Sequence, residues 1–93
     1  MNKYRILAIF HSGRKGTRWT KVNDEKYDDL ESCEVWFDLS EIKPYEQFKF
    51  ILKGHPNYEW WTLSCIIAVW YNKIEDIFYM ETLNSIYCLE KVD

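Results

Sequence analysis

The chain has 93 residues, 47% of them apolar and 18% aromatic. That composition describes one folded domain and excludes a disordered polar chain. The charge is −3 overall but sorted along the sequence, which suggests a bipolar surface able to steer charged partners.

Residues 3–11 read as a strand with apolar side chains on both faces, as expected of an interior strand. The apolar run Ile6–Phe10 is too short for a secretory signal, so a cytoplasmic protein is expected. Gly13-Arg14-Lys15-Gly16 forms a loop, and Thr17–Val22 is β-prone and is expected to return as a hairpin partner. The first 21 residues hold six bases (Lys3, Arg5, Arg14, Lys15, Arg18, Lys21) and no acid. In this hairpin Arg14, Lys15, Arg18 and Lys21 supply charge for phosphates, the glycines allow close backbone approach, and Trp19 offers a stacking ring. These five residues are the candidate nucleic-acid site.

Nine acids then fall within residues 24–46, against Lys26 and Lys43. Asn23–Ser32 is expected to be a short helix capped by Asp24, or an irregular acidic loop. Glu34–Leu39 alternates as a strand. Carboxylates interleaved with aromatic rings suit a protein interface with ring anchors inside a charged rim. Asp24, Glu25, Tyr27, Asp28, Asp29, Glu31, Glu34 and Trp36 are therefore the candidate protein-binding residues.

Pro44–Lys53 has helix punctuation: Pro44 at the first position, Glu46 early, Lys49 and Lys53 late, and Gly54 and Pro56 beyond the end. The spacing predicts a helix there, in competition with a strand alternating Phe48, Phe50 and Leu52 against Lys49, Ile51 and Lys53. Tyr58–Tyr71 reads as the long central strand, with Trp61, Leu63, Cys65, Ile67, Val69 and Tyr71 on one face. Its apolar core, Leu63–Tyr71, is too short for a membrane span. Asn72–Asp76 turns the chain, and Ile77–Leu83 and Ile86–Val92 complete a three-stranded antiparallel meander.

The three cysteines (Cys33, Cys65, Cys88) are widely spaced, which argues against a disulfide framework or a zinc site. His11 and His55 lack close-spaced ligand partners, and the paired acids Asp28-Asp29 and Glu75-Asp76 lie in polar stretches. No residue set points to catalysis, a metal or a cofactor. The expected fold is a single α+β domain: an antiparallel sheet of five or six strands with one or two helices on one face. The expected function is a small non-enzymatic interaction protein that binds a host protein with a basic surface through the acidic, aromatic-containing segment. The bias toward Phe, Tyr, Met, Ile, Asn and Lys over Gly, Ala, Arg and Pro is typical of AT-rich genomes. It suggests an inhibitor or takeover factor of a phage or mobile element, of anti-restriction or other anti-defence type. The alternative is a nucleic-acid-binding module built on the basic hairpin.

Overall fold

The computed structural model describes residues 2–14 and 16–92. Seven strands form one antiparallel sheet: β1 (Asn2–His11), β2 (Glu34–Phe37), β3 (Phe48–Lys53), β4 (Trp60–Leu63), β5 (Ile66–Asn72), β6 (Ile77–Thr82) and β7 (Ser85–Val92). Their spatial order is β4-β3-β2-β1-β7-β6-β5. The two outermost strands are thus β4 and β5, and only Ser64 and Cys65 separate them in the chain.

That connection forces the sheet to curl. Laid flat, seven strands would hold their edges roughly 29 Å apart at about 4.8 Å per strand. The link from Leu63 to Ile66 can reach only about 11 Å. The sheet therefore bends round on itself, and its inner face closes into one core. Rings of Phe50 on β3 and Tyr87 on β7 meet at 5.8 Å although three strand steps separate them. Tyr4, Ile6, Val35, Phe37, Leu63, Met80 and Leu89 fill the same interior. The seam is pinned at one point, where the Tyr45 N–H donates to the Ile66 carbonyl and the Ile66 N–H donates to the Glu46 carbonyl.

The α+β expectation is overturned. Among the described residues helical structure amounts to a four-residue turn, α1 (Glu25–Asp28), and a three-residue 3-10 turn (Leu39–Glu41). Neither is long enough to cover a sheet face. The helix expected over Pro44–Lys53 is instead a turn followed by β3. Its helical punctuation is local, whereas the strand alternation is satisfied by neighbours on both sides: Val35 faces Leu52 and Phe50 faces Trp61. Packing of Phe50 and Leu52 into the core outweighs the end signals. Gly54 does close a segment, but as the turn after β3, at φ +90°.

Tyr58–Tyr71 is likewise no central strand. It is two edge strands joined at a bend, and the bend together with a bulge between Ile66 and Ala68 shifts the side-chain parity. Leu63 and Ile66 both point inward, while Ile67 is 39% exposed. The C-terminal meander β5-β6-β7 and the interior position of β1 agree with the sequence reading. The N-cap role of Asp24 does too, its side chain accepting the Lys26 N–H at 3.0 Å.

Candidate functional site

Residues 16–22 of the basic loop lie against the outer face of β5, β6 and β7, through Arg18 and Trp19. Thr17–Val22 is not a strand; it follows the end of β1 through a single bridge, Phe10 to Lys21, with the His11 N–H donating to Thr20 and the Val22 N–H to Ile9. Trp19 holds a left-handed backbone (φ 72°), uncommon for so large a side chain. That conformation aims its ring onto Phe10 at 5.8 Å, Trp70 at 6.2 Å and Tyr79 at 5.7 Å. Trp70 and Tyr79 are cross-strand neighbours and stack at 5.2 Å. Arg18 sits 5.0 Å over Trp19 and forks onto Glu81 at 2.8 and 3.3 Å. Ile86 and Cys88, outward on β7, are buried in this second small core.

The candidate nucleic-acid residues are thereby largely committed. Arg18 and Trp19 hold the loop to the sheet, and Lys21 pairs with Glu31 at 3.1 Å. Arg14 is exposed; Lys15 lies outside the described residues. Gly16 is needed for packing, because a Cβ there would stand 2.8 Å from the His11 ring.

The eight candidate protein-binding residues also divide. Asp24 caps α1, Tyr27 packs edge-on against Trp61 at 5.5 Å, Glu31 binds Lys21, and Glu34 binds Lys3 at 3.2 Å. Glu25, Asp28 and Asp29 remain exposed on the turn, with no ion pair among the described residues. Trp36 is not with them. It faces outward on β2, away from the core, with the Lys53 ammonium 5.7 Å from its ring centre.

Trp36 belongs to a different surface. Register places it opposite Ile51, and Ile51 opposite Trp60, so three large apolar side chains form a row across β2, β3 and β4 on the outer face. Ile51 is 45% exposed and Trp60 55%. The Lys49 ammonium lies 5.3 Å over Trp60, so cations flank the row at both ends. Neither Lys49 nor Lys53 forms an ion pair among the described residues. Assigning β3 to a helix hid Ile51, Lys49 and Lys53 from sequence reasoning. The signal was present in the alternation of those three against Phe48, Phe50 and Leu52.

Two concavities lie on the described surface. An apolar cleft of about 410 Å³ opens at the seam, between Leu39, Ile42 and Pro44 on one side and Val69, Tyr71 and Phe78 on the other. A polar recess of about 300 Å³ is lined by His11, Asp24, Lys26, Tyr27 and Asn84. Among the described residues no three His, Cys, Asp or Glu side chains are grouped to hold a metal ion. No described helix is long and apolar enough to cross a membrane.

Comparison with known proteins finds no family model, no curated relative and no solved structure that matches this chain.

Two thiols are buried and held neutral. Cys88 is pushed up to about 12 by burial and, second, by the charge of Glu75. Cys33 is raised by burial and by Asp29, and its Sγ donates to the Asp29 carbonyl.

Proposed function

We propose that this chain is a non-enzymatic interaction protein that docks onto a partner protein through the outer face of β2, β3 and β4. The observation that carries the reading is the outward-facing cross-strand row Trp36, Ile51 and Trp60, half-buried at Trp36 and exposed at Ile51 and Trp60. A contiguous apolar patch on a small domain is costly to leave in water, and rings of this type are the usual anchors of interfaces. An aliphatic side chain at the centre of the row suits an apolar pocket on a protein better than a stack of bases. The chain's net charge of −3 also opposes a polyanion at long range. Lys49 and Lys53 favour carboxylates on the partner's rim.

A second reading rests on Glu25, Asp28 and Asp29. Their exposure, without an ion pair among the described residues, supports a contact with a basic host surface, as the charge sorting suggests. Under either reading the protein works in the cytoplasm by occlusion, which suits an inhibitor or takeover factor of a phage or mobile element.

The test is capture from a lysate of the organism that encodes the chain, with and without nuclease. The double variant Ile51→Ser/Trp60→Ala should fold and lose the partner. The triple variant Glu25→Lys/Asp28→Lys/Asp29→Lys should retain it. The opposite pattern would transfer the function to the acidic turn, and capture abolished by nuclease would assign the chain to nucleic acid.

A further inference from the structure

Apart from the bulge between Ile66 and Ala68, β5 is an edge strand without the usual protection. No charged residue occurs from Trp60 through Asn72, and no proline interrupts that run. Beyond Ile66, no backbone hydrogen bond among the described residues reaches β5 on the side away from β6. That free edge borders the apolar cleft, so its inward side chains Val69 and Tyr71 are substantially exposed, although their cross-strand neighbours Met80 and Phe78 lie in or against the core. Natural edges are blunted by charge, proline or cover, because an open apolar edge is a template for another strand.

We propose that the free edge of β5 pairs with β5 of a second copy of this chain, forming a two-fold dimer. The register follows from the seam. Ile66 is already bonded to Tyr45 and Glu46, so the new ladder can use only Ala68 to Asn72. An antiparallel two-fold pair over that stretch centres on Trp70, with Ala68 opposite Asn72 of the second copy. Val69 then faces Tyr71 of the second copy on the cleft side, a β-branched–aromatic pair made twice by symmetry.

Charge at the ends supports the same occupant. Lys73 follows β5 directly and in this register lies across from Ile67 of the second copy, beside the Glu46 bonded to its Ile66. Neither Lys73 nor Glu46 forms an ion pair among the described residues of a single copy. The two-fold brings these opposite charges together at both ends of the ladder. The uncharged strand between them meets its own copy without like-charge repulsion. A foreign strand would need both the apolar alternation and a cation at that spacing; the chain's own β5 has both.

Sedimentation equilibrium of the full chain over a range of micromolar concentrations tests this. The wild type should dimerise, and Val69→Lys should be monomeric with an unchanged circular dichroism spectrum. Lys73→Glu and Glu46→Lys should each weaken the dimer about tenfold, and the two together should restore it. Both residues are exposed, so this charge swap decides the matter even if Val69→Lys fails to fold. A wild type that stays monomeric overturns the proposal, as does a dimer that survives Val69→Lys or a double swap that restores nothing. A monomer that instead takes up an added apolar β-peptide at this edge would assign β5 to another protein.

Discussion

The indole Nε1 of Trp61 donates a 3.1 Å hydrogen bond to the hydroxyl oxygen of Tyr87, across four strand positions of the sheet order. On a flat sheet those strands would stand about 19 Å apart. The bond is thus a direct report of the curl. Trp61→Phe removes the donor from a buried hydroxyl and should cost about 1–3 kcal/mol in urea unfolding. Tyr87→Phe removes the acceptor from a part-buried N–H that can reach water, and should cost less. The double variant should fall short of the sum, because the two share one interaction. Strict additivity would mean that the two side chains do not meet.

The bend between β4 and β5 makes adjacent residues unequal. Ile66 is 2% exposed inside the core, whereas Ile67 points out. Ile66→Asp should abolish stable folding or cost several kcal/mol, since it buries an unpaired charge. Ile67→Asp should cost about 1 kcal/mol or less. Thermal melts of the pair check this, and equal damage would restore the single central strand.

How much of this was legible follows from where each signal resides. β1, β6, β7 and the cap at Asp24 rest on local alternation and turn chemistry, and all could be read from the residues. β3 could have been read, because Phe48, Phe50 and Leu52 alternate cleanly, but Pro44 and Gly54 supply equally local helix ends. The packing of Phe50 against Tyr87, which decides between them, joins residues far apart in sequence. The bend at Ser64-Cys65 was not legible. The run from Trp60 to Asn72 has no breaker, and only closure of the sheet requires it to change neighbours. The charge sorting was read correctly as a pattern but not as a surface. Lys3, Arg5, Arg18 and Lys21 find Glu34, Glu90, Glu81 and Glu31, so the basic pole is largely paired within the fold, whereas only Glu31 and Glu34 of the acidic stretch are paired among the described residues.

Arg18 fastens the basic loop, so its loss should be felt more than that of its neighbour in the same loop. Arg18→Ala leaves the buried Glu81 carboxylate without its fork and should lower the melting temperature clearly, whereas Arg14→Ala should leave it unchanged. Adding Glu81→Gln to Arg18→Ala should recover part of the loss. Equal effects of the two arginine variants would show that the loop is not held this way.

Stability should decline in alkali. The Cys88 thiol, held neutral up to about 12 in the fold, ionises near 9 when unfolded. The Tyr87 phenol is raised above its usual 10, also chiefly by burial. For such raised groups the stabilisation is complete below the unfolded value and is lost as pH climbs toward the folded one. Melting temperature should therefore fall between about pH 9 and 12, and Cys88→Ser should make that fall shallower. A curve unchanged by Cys88→Ser would place the thiol in water.

The most direct test of the proposed interaction face puts a photo-reactive benzoylphenylalanine at Ile51, with Asp28 and the fully exposed Ile74 as comparison sites. Illumination in the cells that encode the chain should yield one discrete adduct with another protein from position 51, suppressed by excess unlabelled chain, and no adduct with another protein from position 74, where only a second copy of the chain is in reach. Adducts from position 28 with none from position 51, or no specific adduct at position 51, would contradict docking through Trp36, Ile51 and Trp60.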